Sequence, residues 1–178
     1  MIDEPEKRRY SLILVWRIMA KLGVLFVCTG NICRSPTAEA VLRKRLAERG
    51  LEAQVEVDSC GLGDWHVGQP PDERSVAAGL LRGYKLRSLR ARQIQGGDFQ
   101  AFSLLIAMDR GHLEELKRIC PAGSEDRLKL FMDFHPEETG LRDVPDPYYG
   151  ALSDFDLALE LIEKGVEGLV ESLQRDHL

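Results

Sequence analysis

The sequence predicts an α/β fold, a parallel sheet with helices on both faces, and three observations predict it. Short continuous apolar runs rich in valine and leucine have the pattern of strands buried on both sides. Stretches with helical spacing follow most of them. The two signals alternate along the whole chain, which implies parallel strands joined by crossover helices. With 178 residues, 44% of them hydrophobic and 30% charged, the chain is long enough for one domain with a substantial core, expected over residues 21–178.

The run "GVLFVC" (23–28) is the first strand. In "PTAEAVLRKRLAERG" (36–50), apolar Ala38, Val41, Leu42 and Leu46 mark a helix that Gly50 stops, with Ser35 as its N-cap and Pro36 as its first residue. "AQVEVDSCG" (53–61) alternates as a second strand, and "PPDERSVAAGLLRGY" (70–84) is a helix opened by proline. "SLLIAMD" (103–109) is another buried strand, "RGHLEELKRIC" (110–120) the helix after it, and "RLKLFMD" (127–133) the fourth strand. Over 153–175, Phe155, Leu159, Ile162, Val166, Leu169, Val170 and Leu173 form the stripe of a last helix. Gly165 and Gly168 weaken it by up to about 1 kcal/mol each. No repeat, low-complexity tract or linker divides the chain.

Residues 1–20 read as an extension with no assigned role, a short amphipathic helix being one form open to it. Lys7-Arg8-Arg9 before "YSLILVW" has the outline of a signal peptide, but Arg17 and Lys21 interrupt the apolar run and no small-residue cleavage site follows cleanly. A membrane span needs roughly 20 apolar residues, so none is expected here.

The net charge of −5 is unevenly spread: residues 1–100 carry 16 Lys and Arg against 12 Asp and Glu, and residues 101–178 carry 8 against 17. No basic stripe with interleaved aromatics stands out, so nucleic acid is not an expected partner. Four cysteines, Cys28, Cys33, Cys60 and Cys120, show neither CxxC pairs nor zinc-ligand spacing with histidine. Reduced thiols in a cytoplasmic protein, without a structural metal, are the expectation.

In parallel sheets, ligands bind outside the carboxyl ends of the strands. Cys28 stands at such an end, followed by "TGNICRSP". A loop leaving a strand and entering a helix presents backbone N–H groups backed by the helix N-terminus, and both favour an anion. Gly30 and Asn31 tolerate positive φ and let the loop curl. Arg34, six positions after Cys28, adds a planar guanidinium with paired donors for phosphate oxygens. The same surroundings favour a thiolate over a thiol, and Ser35 can donate a hydrogen bond to the sulfur. Cys-x5-Arg alone is a frequent chance pattern, and a strand-end cysteine is commonly a small buried hydrophobe. The strand before it, Gly-Asn inside it, and Ser-Pro with a helix after it turn the pattern into a nucleophile for phosphoryl transfer.

That chemistry needs a proton for the leaving oxygen, which a positioned carboxylic acid supplies. "DVPDPYYG" (143–150) offers Asp146 between Pro145 and Pro147, whose backbone restrictions would aim it. Tyr148 and Tyr149 are suited to wall a slot for an aromatic substrate. Without the cysteine motif the same stretch would read as a surface turn.

"VLFVCTGNICRSPTAEAVLR" and "DPYYG", about 110 residues apart and in this order, resemble the low-molecular-weight protein tyrosine phosphatases from about residue 22 onward. The resemblance implies a four-stranded parallel sheet flanked by helices, the Rossmann-like three-layer arrangement of the phosphotyrosine phosphatase I-like fold. It implies hydrolysis of phosphotyrosine and small aryl phosphates through a cysteinyl-phosphate, with Cys28 as nucleophile. Arg34 and the loop amides of Thr29, Gly30, Asn31, Ile32 and Cys33 would hold phosphate and transition state. Asn31 and Ser35 would shape the loop, and Asp146 would be general acid, then general base. Tyrosine-phosphorylated proteins would be the partners, with no cofactor and no metal; a monomer is the simplest expectation.

"DSCGLGDWHVGQPPDERS" resembles the family's stretch after the second strand, which puts Trp65 either on the pocket rim or in ordinary packing, with His66 at the surface. The resemblance also implies that Cys33 can pair with Cys28 under oxidation, although an ordinary core thiol fits Cys33 as well. Three departures stand out. Leu89 occupies a position where many members carry a histidine in the network behind the loop, which puts that network in doubt. Cys60 replaces the usual alanine, as a third redox thiol or as nothing. The extension before residue 21 is atypical. Relatives acting on phosphoarginine tend to carry threonine at the position of Ile32 and phenylalanine at that of Tyr148, so both residues here favour tyrosine. Arsenate reductases relay oxidation through later cysteines, and Cys120 has no partner nearby in sequence. A silent phosphotyrosine-binding module would lack Cys28, Arg34 or Asp146, and all three are present.

Overall fold

The computed structural model describes residues 21–176 and 178. The extension expected over residues 1–20 lies outside the described residues. Four strands, β1 (Leu22–Cys28), β2 (Val55–Gly61), β3 (Leu104–Ala107) and β4 (Leu128–Leu130), form one sheet in the order β2-β1-β3-β4. Every neighbouring pair is parallel. The helices are α1 (Arg34–Glu48), α2 (Glu73–Leu81), a single turn α3 (Asp98–Ala101), α4 (Arg110–Ile119) and α5 (Leu152–Asp176). No described helix is long and apolar enough to cross a membrane.

Alternation along β1 splits the core in two. Val24, Phe26 and Cys28 face one side, where they meet Val41 and Leu42 of α1, Val76 of α2 and the apolar stripe of α5. Leu25 and Val27 face the other, with Phe99, Phe102 and Leu116 of the α3–α4 side. A strand apolar at every position is thus a strand covered on both faces.

Two elements differ from expectation. Helix α1 begins at Arg34 with Cys33 in the N-cap position and no side-chain cap, so Ser35 lies inside the first turn and is not the cap. Its hydroxyl is engaged elsewhere, as described below. The fourth strand is cut to three residues because Phe131–Phe134 turn into a 3-10 helix. That turn explains the two glycines of α5. A Cβ at Gly165 would sit 2.5 Å from the Phe131 ring, and one at Gly168 only 1.9 Å from the Phe134 carbonyl oxygen. Their low helix propensity is the cost of a close approach that buries the helix against the end of β4.

The sheet order determines where a ligand can sit. The chain leaves β1 toward β2 on one side, and β3 lies on the other, so the loops after β1 and β3 diverge and open a crevice between them. Residues 29–33 and the Asp109 start of α4 border that crevice.

Candidate active site

Cys28 ends β1, paired in register with Gly61 of β2. The loop that follows turns on Asn31, the only described non-glycine residue with positive φ, at 56°. Gly30 is a glycine for another reason than the positive φ expected of it. It is absent from the left-handed region, and a Cβ there would lie 2.8 Å from the His66 ring. Gly61 is the stricter case: its Cβ would fall 3.0–3.1 Å from backbone atoms of Thr29, Gly30 and Asn31. The end of β2 therefore touches the underside of the loop directly.

The Asn31 side chain ties the loop from behind. Its Nδ2 donates to Ser35 Oγ and to Ser59 Oγ, both at 2.9 Å, and its Oδ1 accepts from the Arg92 N–H at 2.9 Å. Ser59 Oγ donates to Glu39 Oε2 at 2.7 Å, and Arg43 Nε donates to Glu39 Oε1 at 2.8 Å. Burial pushes the Glu39 carboxyl up, while Ser59 and Arg43 pull it back down. These directions are linked. Ser59 spends its one hydrogen on the carboxylate, so it can only accept from Asn31. Asn31 in turn fills a lone pair of Ser35, which leaves the Ser35 hydrogen for Cys28 Sγ at 3.0 Å or the Cys60 carbonyl at 3.3 Å. The doubt raised by Leu89 is answered here: that side chain packs partly buried against the core, and the network closes without it.

Arg34 is buried to 4% exposure, with its guanidinium spread across the crevice. NH1 donates to Asp109 Oδ2 at 2.7 Å and to the Val144 carbonyl at 3.1 Å; NH2 donates to Asp146 Oδ2 at 2.9 Å and to Thr29 Oγ1 at 3.4 Å. Thr29 Oγ1 is also hydrogen-bonded to His112 Nε2, 2.8 Å away. His112 Nδ1 sits 3.1 Å from Asp109 Oδ1 without making a hydrogen bond. Burial pushes this imidazole down to about 4, so it is neutral near pH 7. Asp109 also caps α4 by accepting from the His112 N–H at 2.8 Å. One carboxylate thus fixes the helix start, the histidine and the arginine.

Asp146 enters from the opposite loop. Val144, fully buried, anchors that loop by donating its N–H to the Met108 carbonyl at 3.0 Å. Asp146 itself is half exposed, and its Oδ1 accepts from the Tyr148 N–H at 3.2 Å. Between the loops lies a cavity of about 350 Å³. Cys28, Thr29, Gly30, Ile32, Cys33 and Arg34 form its floor and near wall, and Asp146, Tyr148 and Tyr149 the far wall. Trp65 completes the rim, 59% exposed and so not a packing residue. His66, partly exposed at the surface as expected of it, lines the cavity as well; its Nδ1 pairs with Gln69 Oε1 at 2.8 Å.

Asn31 and Ser35 are not in the cavity wall but behind it. Cys60 packs with Leu25 and Val27 on the sheet face away from Cys28, fully buried, so of its two readings the structure supports plain packing. Among the described residues no group of three or more His, Cys, Asp or Glu is placed to hold a metal. Sequence reasoning placed Asp109 at a strand's carboxyl end without giving it a role, and missed His112, three residues further on. It also missed Glu39, Ser59, Arg92 and Val144, which carry no signal of their own.

The family model of the low molecular weight phosphotyrosine protein phosphatases matches residues 23–178. The chain belongs to that family. It is 39% identical over 155 residues to the low molecular weight protein-tyrosine-phosphatase YfkJ of Bacillus subtilis (strain 168), spanning 87% of this chain and 97% of the relative. It is 45% identical over 151 residues to low molecular weight protein-tyrosine phosphatase A of Mycobacterium tuberculosis (strain H37Rv), spanning 83% and 89%. The crystal structure of a protein tyrosine phosphatase from Entamoeba histolytica with Hepes in the active site matches with a TM-score of 0.84 at 35% identity, covering 89% of this chain and all of that one.

Proposed function

We propose that this phosphatase hydrolyses phosphotyrosine in proteins through a cysteinyl-phosphate, within one domain spanning residues 21–178. The observation that carries the reading is the cavity itself, with the Cys28 thiol, the Arg34 guanidinium and the Asp146 carboxyl converging on one space sized for an aryl phosphate. Ile32, Trp65, Tyr148 and Tyr149 line it as an apolar slot for the ring.

In the first step the Cys28 thiolate attacks phosphorus, the S–P bond forms and the P–O bond to the phenol breaks. Ser35 donates to the sulfur, and Arg34 with the loop amides of residues 29–34 stabilises the charge spread over the equatorial oxygens. Asp146 delivers the proton that the leaving phenoxide takes up. A phosphate dianion is the stronger claimant on Arg34, so substrate binding releases Asp146 from the guanidinium. In the second step Asp146 accepts a proton from water, the new O–P bond forms, the S–P bond breaks and inorganic phosphate leaves.

Cys33 lines the same cavity, and burial pushes its thiol up to about 12. Its place beside Cys28 makes it the thiol that would trap a Cys28 sulfenic acid formed by peroxide, releasing water and closing a reversible disulfide, while its protonated state near pH 7 slows that attack. All four cysteines are free, in keeping with a reducing, cytoplasmic setting.

The test is steady-state hydrolysis, with chelator present, of a phosphotyrosine peptide against a phosphoarginine peptide, for wild type, Cys28→Ser and Asp146→Ala. The expected result is tyrosine preference, abolished by the first change and cut about 10²-fold or more by the second. Preference for phosphoarginine would keep the mechanism and overturn the substrate. No turnover of either peptide would sink the whole reading.

A further inference from the structure

The loop that carries Asp146 is exposed, yet a cation outside the cavity holds it at two points. Arg74, in the first turn of α2, donates from NH2 to the Tyr148 carbonyl at 3.0 Å and from NH1 to the Gly150 carbonyl at 3.5 Å. Its guanidinium carbon lies 4.4 Å from the Phe155 ring centroid and 5.8 Å from that of Tyr148. Asp72 takes the remaining edge, accepting from Nε at 2.9 Å and from NH2 at 2.8 Å. Asp72 is itself fastened to the loop after β1, because its N–H donates to the Ile32 carbonyl at 2.8 Å.

A partly exposed ion pair contributes little by itself. What matters here is the use of the other donors. The planar fork of arginine lets one side chain bind a carboxylate on one edge and two carbonyls on the next, an arrangement that lysine cannot reproduce. The Tyr148 residue whose carbonyl Arg74 holds is the one whose N–H orients the Asp146 carboxylate. The other attachment of Asp146 is to Arg34, which a bound phosphate claims. Arg74 is therefore a hold near Asp146 that persists through turnover, beside the Val144 anchor at the start of the loop.

We propose that Asp72 and Arg74 form a clamp that sets the spacing between the two loops, making Arg74 a positioning residue for Asp146 and for the Tyr148 wall. The proposal rests on Asp146 being the proton donor.

The test compares wild type with Arg74→Met, Arg74→Lys and Asp72→Asn on phenolic phosphates of different leaving ability, with thermal unfolding as the check on folding. Arg74→Met is expected to lower kcat/KM about tenfold for phosphotyrosine, and less than about twofold for 2,4-dinitrophenyl phosphate, whose leaving group departs without a proton. Inhibition by inorganic phosphate should stay within about twofold of wild type, since the loop that binds it keeps its own supports. Arg74→Lys should recover only part of the loss, and Asp72→Asn should show the same pattern at smaller size. Hydrogen exchange over residues 144–150 should quicken in Arg74→Met while that over residues 28–35 does not.

Equal losses on both substrates with weakened phosphate inhibition would overturn the proposal, because Arg74 would then support the site as a whole. Unchanged kinetics and exchange would overturn it too. Should wild type show no Cys28-dependent turnover, the functional reading fails; the exchange measurement still decides the clamp, faster exchange sustaining it and unchanged exchange ending it.

Discussion

On one side of the cavity, the loop of residues 28–35 is built into the core: Ser35 is 0%, Asn31 2% and Arg34 4% exposed. On the other, Tyr149 is 96% exposed and the Asp146 side chain 47%. The first loop is held by chains of buried hydrogen bonds that run into β2, α1 and α4. The second is held by buried Val144 and Pro147 and by arginines reaching across from other elements. The difference matches the two tasks. A cradle for a tetrahedral anion works only if its donors are in place before the anion arrives, because reorganisation would cost what binding supplies. A proton donor has to reach substrates of varied size and let product out, so it belongs on a segment that water can reach.

The sharpest way to break this comparison is at Arg34, which belongs to both sides. Arg34→Lys removes the paired donors, leaves Asp109 and Asp146 short of partners, and is expected to lower kcat/KM about 10²–10³-fold in steady-state assays. Next comes Asp146→Asn, expected to cost about 10²-fold with phosphotyrosine and to leave the unfolding free energy within about 0.5 kcal/mol of wild type. A matching drop in stability would show that the acid loop is structural after all. Asn31→Ala should behave in the opposite way. It leaves buried Ser35, Ser59 and the Arg92 N–H each short of a partner, and should destabilise by about 2–4 kcal/mol in urea unfolding while lowering kcat about tenfold.

The last effect is one of pH and is felt only in acid. The His112 imidazole is depressed from 6.5 to about 4 in the folded protein, so between those values the unfolded chain binds the extra proton. Stability from this group is complete above about pH 6.5 and is lost as pH falls through about 4, by at most about 3 kcal/mol. His112→Asn should flatten that slope in unfolding curves taken from pH 7 downward. Glu39, pushed up by burial, works in the other direction, adding stability at low pH that is lost as pH rises. The slope is therefore read as the difference between variant and wild type.

The alternating strand and helix pattern shows in the residues because each strand is apolar at successive positions and each helix has one apolar stripe. The two site motifs show for a similar reason: cysteine, arginine and the Pro-Asp-Pro stretch are chemically unusual where they stand. What holds those motifs does not show. Ser59 reads as a middling strand residue, Glu39 as a solvated helix charge and Arg74 as a surface cation, and only the packing of β2, α1 and α2 gives them partners. The misplaced start of α1 has the same origin. Ser35 followed by Pro36 has the form of a cap, but Cys28 and Asn31 compete for its hydroxyl and win, so the helix begins without a side-chain cap.

Asn31 combines demands that few side chains can meet together. Its backbone is left-handed, which admits glycine, asparagine and aspartate most readily. Its side chain gives two hydrogens to hydroxyls and receives one from a main-chain amide. Glycine would satisfy the backbone and offer no hydrogens. Aspartate would accept from Arg92 but has nothing to donate, and would reverse the hydroxyls of Ser35 and Ser59 toward itself. Glutamine has the donors on a stem one carbon too long. Of the twenty amino acids only one fits this corner, so a random change at position 31 has almost no neutral outcome.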